Sequence, residues 1–209
     1  MTSHRPTEET LAAFAAGTLD EGLSLVVAAH IELDRETADQ FREIKSVQGA
    51  LLDAIEPAAM RSGARESALR KLAPRAGRER TSIPPGIAGL PRALSPYELG
   101  RWQPIGRGIA LRRVNSTNSK ARVFMLRARP GISLPAHRHT GAEWTTILSG
   151  AYEHQYGRFA AGDFDEADER HAHAPVVDPV EGCTCLVALT GQVLFDGWLG
   201  RLLQPLVRL

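Results

Sequence analysis

The chain of 209 residues has 43% hydrophobic and 23% charged residues and a formal net charge of +1 at pH 7. This composition is ordinary for a globular protein, and the length allows one large or two small domains. No apolar run is long enough to span a bilayer, the N-terminus lacks a secretory pattern, and two cysteines make no disulfide framework, so we expect a cytoplasmic protein without a membrane segment.

Helical periodicity occupies residues 7–57. Thr7, Asp20 and Asp34 are well placed as helix N-caps, and each is followed by apolar residues three or four positions apart. A bundle of such short helices buries little apolar surface by itself. We therefore expect a partner protein or a structural metal to complete it.

The helical segment is acidic and the segment after it is basic. Residues 1–57 contain 11 Asp and Glu against 4 Lys and Arg, whereas residues 58–130 contain 3 against 16. An acidic block is attracted to a basic protein surface, including one that normally faces nucleic acid. The basic block has no helix-turn-helix or zinc-finger spacing, so we do not expect this chain to bind nucleic acid directly.

A change of composition separates the helices from the rest of the chain. A fourth short helix is predicted over residues 65–72, which completes an N-terminal helical domain of residues 1–72. Residues 73–94 contain several Pro and Gly without a sustained apolar period and are assigned to a linker. Over residues 95–209, short apolar segments separated by turns predict at least six strands, and hence a β-sandwich or barrel.

The most informative motif lies between Gly131 and Gly150. His137 and His139 are two positions apart, so on a β-strand their imidazoles point to the same side. Glu143 follows after a short turn and can add a carboxylate. Nitrogen and oxygen ligands of this kind suit a divalent transition metal.

The spacing Gly-x5-His-x-His-x3-Glu-x6-Gly resembles the first motif of the cupin family. The resemblance implies a double-stranded antiparallel β-barrel (a jelly roll) with a further histidine ligand on a later strand. His171 and His173 are the two candidates, and the resemblance favours His173, which precedes a strand-like run. The implied ligands are therefore His137, His139, Glu143 and His173. They would hold one divalent metal, zinc first, with iron, manganese or nickel as alternatives.

A helical module joined by a linker to a cupin resembles the ChrR family of anti-sigma factors over nearly the whole chain. The matching segments include Gly-Asp-Phe at 162–164, Glu-Ala-Asp at 166–168 and Glu-Gly-Cys-Thr-Cys-Leu-Val-Ala-Leu at 181–189. The resemblance implies that the helices bind and occlude an extracytoplasmic-function sigma factor, while the metal-holding cupin takes part in sensing a stress signal. The apolar helix residues expected to face this partner are Leu11, Phe14, Val26 and Val27.

The same resemblance implies a zinc site in the helical module, built from an early histidine and a His-x3-Cys-x2-Cys motif. His4 and His30 match the two histidines, but Asp34 and Thr37 stand at the two cysteine positions. A zinc site with two thiolates is therefore absent, although His4, His30 and Asp34 could still form a three-ligand site with water. Asp34 is also explained as a helix N-cap.

Two hypotheses about function follow. The leading one is an anti-sigma factor of the α+β class, with a short-helix bundle and a cupin in two domains. The alternative is a metal-dependent cupin enzyme of the dioxygenase type, whose helices serve for dimerisation, because three histidines and a glutamate can leave coordination positions open for substrate and O₂. No general base stands clearly beside the ligands, so we expect a regulatory protein rather than an enzyme. A homodimer through the cupin is compatible with both.

Overall fold

The structure is a computed structural model, and it describes residues 2–72, 89–106 and 108–195. The helices are α1 (Glu8–Ala15), α2 (Glu21–Leu33), α3 (Arg35–Asp53) and α4 (Ala64–Leu72), and a single 3-10 turn occupies Arg92–Leu94. The strands are β1 (Glu98–Leu99), β2 (Gln103–Gly106), β3 (Ile109–Asn115), β4 (Arg122–Ala128), β5 (His137–His139), β6 (Glu143–His154), β7 (Gly157–Ala160), β8 (Phe164–Ala167), β9 (Ala172–His173), β10 (Val176–Val177), β11 (Cys183–Leu189) and β12 (Val193–Phe195).

The first three helices begin where the N-caps predict. The side chains of Thr7, Asp20 and Asp34 each accept a hydrogen bond from a backbone N–H in the first turn of the helix that follows. The fourth predicted helix is confirmed as α4. Among the described helices, none has the length and apolar character needed to cross a membrane.

The strands form two antiparallel sheets. The larger has the order β1-β3-β4-β11-β6-β10, with β2 paired to β3 and both β7 and β8 paired to β6, and the smaller has the order β12-β5-β9. One long strand, β6, runs through Gly150. Gly150 allows this continuity because its φ is +70° and a side chain there would collide with the carbonyl group of Gly182.

Alternate residues of the central strands face two different apolar cores. On β4, Val123 and Met125 face the helices, whereas Phe124 faces the interior between the sheets. On β11, Leu186 lies on the helix side and Val187 in the interior. The large sheet is therefore covered on both faces.

The helices do not form a bundle with a core of its own. Val26 and Val27 of α2 belong to the same buried cluster as Trp144 and Leu186 of the sheet. The hydroxyl of Thr146 on β6 also donates a 2.9 Å hydrogen bond to the carbonyl of Val26. The cupin sheet thus covers the apolar faces of the helices. From the sequence we expected a partner protein or a structural metal to complete the helical module instead.

The end of the predicted linker is packed structure. Leu94 is only 3% exposed and lies in the core shared by helices and sheet. The carboxylate of Glu32 on α2 accepts hydrogen bonds from the backbone N–H groups of Arg92 and Ala93 at 2.6 and 2.7 Å. Residues 89–94 therefore belong to the folded part, and the linker prediction is wrong there. Its remainder, residues 73–88, lies outside the described residues.

Candidate metal centre

Four predicted ligands meet at one end of the interior between the sheets. His137, His139, Glu143 and His173 each offer a ligand atom within 4.8 Å of the others. Nε2 of His173 lies 3.0 Å from Nε2 of His137 and 3.1 Å from Nε2 of His139. The Glu143 carboxylate lies 3.6 Å from His173 Nε2 and 3.4 Å from His139 Nδ1. His171 stays outside this group, with its Nδ1 2.8 Å from Asp168.

Strand pairing explains this convergence. His137 and His139 alternate with exposed Arg138 along β5, so both histidines point inward and are buried. In the antiparallel pair of β5 and β9, His137 lies directly opposite His173. Glu143 begins β6 after the short turn that leaves β5. The i, i+2 rule thus predicted correctly that His137 and His139 point to the same side of the strand.

The hydrogen bonding of His137 prepares it for a cation. Its Nδ1 lies 2.8 Å from the carbonyl oxygen of Pro135, which can only accept a hydrogen bond. The proton therefore resides on Nδ1, and the lone pair of Nε2 points toward the other ligands. This is the tautomer that binds a metal through Nε2.

The metal-free site has strongly shifted pKa values. Burial, together with the charge of the nearby His137, lowers the pKa of His139 to about 4 and that of His173 to about 3. Burial, helped by the negative charge of Asp165, raises the pKa of Glu143 to about 8. At neutral pH the two imidazoles are unprotonated, while the carboxyl group would hold a proton until a cation displaces it.

The arrangement fits a divalent metal ion. Ligand atoms around a tetrahedral zinc ion lie about 3.3 Å apart, and Nε2 of His173 lies 3.0 Å from Nε2 of His137, 3.1 Å from Nε2 of His139 and 3.6 Å from the Glu143 carboxylate. Three neutral imidazoles and one carboxylate can therefore hold a divalent ion, and the donor set alone does not select one metal.

A second group of polar residues adjoins the ligands. The Asp165 carboxylate of β8 accepts hydrogen bonds from the Tyr152 hydroxyl at 2.7 Å and from His154 Nε2 at 2.9 Å. His154 and Asp165 also form a three-residue cluster with His173. Asp165 was not predicted as a site residue. The sequence offered one indication of its position. Asp165 stands between Phe164 and Glu166 on a strand, and those two neighbours point to the opposite side.

An apolar cavity of about 410 Å³ opens onto the ligands. His137, Glu143 and His173 line one part of it, together with Tyr152. None of the described residues that line it is Lys or Arg. Its apolar lining includes Phe124, Leu126, Leu134, Val187, Val193 and Phe195. A small, largely apolar molecule could reach the metal position through this space.

The second predicted metal site does not assemble. His30 Nε2 and Asp34 Oδ2 are 3.8 Å apart, but the backbone N–H of His4 is bonded to Asp163 and its ring stacks on Phe159 at 4.2 Å. Across residues 2–72, 89–106 and 108–195, the groups of three or more ligand-type side chains do not include His4, His30 or Asp34.

Three of the four predicted partner-binding residues are buried within the chain. Leu11, Val26 and Val27 are fully buried in the core shared by helices and sheet, so a partner cannot reach them in this conformation. Phe14 is partly buried and packs on Phe41 of α3, with ring centroids 5.1 Å apart. Helical periodicity identified buried positions correctly but could not tell which surface would bury them.

Comparison with known proteins covers both halves of the chain. Residues 93–193 match the family described as the ChrR cupin-like domain, which confirms the predicted cupin. The chain is 32% identical to the anti-sigma-E factor ChrR of Cereibacter sphaeroides, over 99% of this chain and 98% of that protein. It also matches a solved structure of Rhodobacter sphaeroides SigE in complex with the anti-sigma ChrR, with a TM-score of 0.75 and 30% identity, covering 90% of this chain and 100% of that one. The chain therefore belongs to the ChrR family of anti-sigma factors.

Proposed function

We propose that this protein binds an extracytoplasmic-function sigma factor in the cytoplasm and keeps it from RNA polymerase until a stress signal reaches the cupin. The observation that carries this proposal is the full-length match to ChrR, which includes the helices as well as the cupin. A cupin enzyme with an unrelated helical appendage would match such a relative over the cupin alone. The shared helices therefore favour the regulatory function over the enzymatic one.

An exposed row of apolar residues on α3 is the proposed contact surface. Phe41 and Ile44 lie on the face of α3 that packs against α1, and Gln48 donates a hydrogen bond to the carbonyl of Ala12. Other apolar residues in the last part of α3 and just after it are exposed. We call them the α3 stripe; they are 60% to 68% exposed and comprise Val47, Leu51 and Leu52 of α3 and Ile55, two residues past its end.

The α3 stripe suits a protein partner. Exposed apolar residues in a contiguous row are unusual on the surface of a soluble protein and indicate an interface. Leu69 and Leu72 of α4 are likewise 55% and 79% exposed, so α4 can extend the same contact. Residues 1–57 carry an excess of acid, which complements the basic surface that a sigma factor presents to nucleic acid.

The cupin is proposed to receive the chemical signal. Its ligand cluster would hold one divalent metal, for which zinc is our first choice, and the adjoining apolar cavity would admit a small molecule to the metal. When bound, the metal supplies a Lewis acid to whatever molecule enters the cavity. The chain itself provides the unprotonated imidazoles, the apolar walls and the buried Asp165 carboxylate.

Strand β8 connects the two halves. Phe164 lies in the core shared with the helices and meets the ring of His30 edge-on, with centroids 5.5 Å apart. The next residue, Asp165, points to the other side and holds Tyr152 and His154 beside the metal ligands. A shift of β8 at the metal centre would therefore move side chains that pack against α2. We expect a signal at the cupin to weaken the binding of the sigma factor through such a shift.

Deletion of the gene tests this function in the cell. We expect transcription from the promoters of one extracytoplasmic-function sigma factor to rise, and to fall again when the wild-type chain is supplied. A matched strain should carry a chain with Leu51 and Leu52 both changed to Asp, which should fold but fail to restore repression. Unchanged transcription from every such promoter would contradict the proposed function.

A further inference from the structure

The residues at the expected zinc positions of the helical module form a chain of hydrogen bonds. The Thr37 hydroxyl lies 2.9 Å from Asp34 Oδ2 and 3.0 Å from His30 Nε2. Arg5 Nε donates a 2.7 Å hydrogen bond to the same Asp34 oxygen. Asp34 Oδ1 is occupied as well, since it accepts the backbone N–H of Glu36 at 3.2 Å.

The protons of this chain can be assigned from the chemistry of its members. An ionised carboxylate only accepts hydrogen bonds, so the single proton of the Thr37 hydroxyl goes to Asp34. Thr37 Oγ1 must then accept from His30, which places the proton of the neutral imidazole on Nε2. Burial lowers the pKa of His30 to about 4, and hydrogen bonds from Arg5 and Thr37 hold the pKa of Asp34 well below its usual range. The pair therefore consists of a neutral histidine and a charged aspartate.

The network is buried and carries its own positive charge. His30 and Thr37 are fully buried, and Asp34 is 7% exposed. A buried carboxylate needs a cation or several donors nearby to offset its lost hydration. The guanidinium of Arg5 provides the cation, and Thr37 and the backbone N–H of Glu36 provide further donors. Arg5 also donates to the Glu36 carboxylate at 2.7 Å and to the carbonyl of Thr2. This arrangement joins the N-terminal segment, the end of α2 and the start of α3.

We infer that a metal-free network of His30, Thr37, Asp34 and Arg5 closes the helical module of this protein, meaning that it joins the N-terminal segment to the end of α2 and the start of α3. In this network the Arg5 guanidinium takes the place of a zinc ion. The residues do not fit zinc: both oxygens of Asp34 accept hydrogen bonds, the His30 nitrogen that faces Asp34 is the protonated Nε2, and His4 lies against Phe159. The neighbouring residue in the sequence, Arg5, reaches Asp34 instead.

This inference has a consequence for signalling that rests on the proposed function. A module without thiolates or zinc cannot be opened by thiol oxidation or by metal removal. The chemical signal would therefore enter through the cupin alone. The closure itself does not depend on any partner and can be tested on the purified full-length chain.

Metal analysis combined with amide hydrogen exchange is the first test. In the variant His137→Ala/His139→Ala, which lacks two cupin ligands, we expect no bound zinc and no change in the exchange of residues 30–40 when a strong chelator is added. One equivalent of zinc in that variant, with faster exchange of these amides after chelation, would overturn the inference.

Substitution of Arg5 is the second test. We expect Arg5→Gln to speed exchange of the amides around Asp34 by about tenfold or more, since a hydrogen-bonded charge is left without its partner. Arg5→Lys should recover part of the protection because it restores the charge but not the fork of donors. The control is Arg42→Gln, which breaks an exposed ion pair with Asp39 on α3. Equal exchange in Arg5→Gln and Arg42→Gln would show that the network does not close the module.

Discussion

The hydroxyl of Thr10 on α1 donates a 2.6 Å hydrogen bond to the carboxylate of Glu166 on β8. The other oxygen of Glu166 accepts the backbone N–H of Thr7, the N-cap residue, at 3.0 Å. A negative charge is favourable at a helix N-terminus, because the first backbone N–H groups lack partners within the helix. A residue of the cupin therefore stabilises the first helix of the partner-binding module.

Replacement of Glu166 by alanine should loosen α1 from the sheet. We expect a loss of about 1 to 2 kcal/mol in the free energy of unfolding, since two hydrogen bonds to a charged group and a favourable helix-end charge disappear. Amide exchange should rise in α1, and the metal content should stay the same. The control is Glu169→Ala, which removes an exposed acid from the turn after β8. Similar effects in both variants would show that the contact with α1 contributes nothing.

Metal uptake should depend on pH through Glu143. Its raised pKa of about 8 means that below pH 8 a metal ion must displace one proton from the carboxyl group. The lowered pKa values of His139 and His173 mean that these imidazoles need lose no proton above about pH 4 to 5. The apparent affinity should therefore rise about tenfold per pH unit from about pH 5 to 8 and then level off. Competition with a chromophoric chelator measures this, and a flat profile from pH 6 to 8 would contradict it.

The charge of Asp165 should affect the pH dependence of the metal affinity, although Asp165 itself does not bind the metal. Its negative charge helps to raise the pKa of Glu143, so Asp165→Asn should lower that pKa and move the plateau of metal affinity to lower pH. The matched control is Asp168→Asn, whose carboxylate is paired with Arg170 at the surface. The same chelator competition serves for both variants, and an unmoved plateau in Asp165→Asn would rule out this role.

The α3 stripe should matter for binding and not for folding. Leu51→Asp places a charge at a side chain that is 65% exposed and in the last turn of α3, so the chain should stay folded with a loss of about 0.5 to 1.5 kcal/mol in the free energy of unfolding. The affinity for the sigma factor should fall by at least about tenfold if Leu51 lies within the buried part of the contact. Val180→Asp, at an 82% exposed valine in the cupin, is the control. Titration calorimetry of both variants measures the difference, and equal affinities would exclude the stripe.

Local sequence signals predicted the elements that depend on neighbouring residues. The caps at Thr7, Asp20 and Asp34 predicted the helix starts, and the spacing of His137 and His139 predicted two inward-facing histidines. These features follow from the fixed periods of helix and strand. They need no knowledge of how distant parts of the chain meet.

Long-range packing was the part that could not be predicted. The apolar faces of α1 and α2 were assigned to a partner, because nothing in their own periodicity reveals that Val26 packs against the cupin sheet. Asp165 was not predicted as a site residue because its hydrogen-bond partners, Tyr152 and His154, lie on another strand. The absence of cysteine at positions 34 and 37 was visible, but the role of Arg5 depends on a contact across 29 positions of sequence.

Competition for the sigma factor tests the central claim most directly. The purified chain should be titrated into a mixture of RNA polymerase core enzyme and the extracytoplasmic-function sigma factor encoded in the same genome, while the amount of polymerase holoenzyme is measured. We predict a one-to-one complex of the chain with the sigma factor and a matching loss of holoenzyme, which Leu51→Asp weakens. Undiminished holoenzyme at a large excess of the wild-type chain, with every such sigma factor of that genome, would contradict the account.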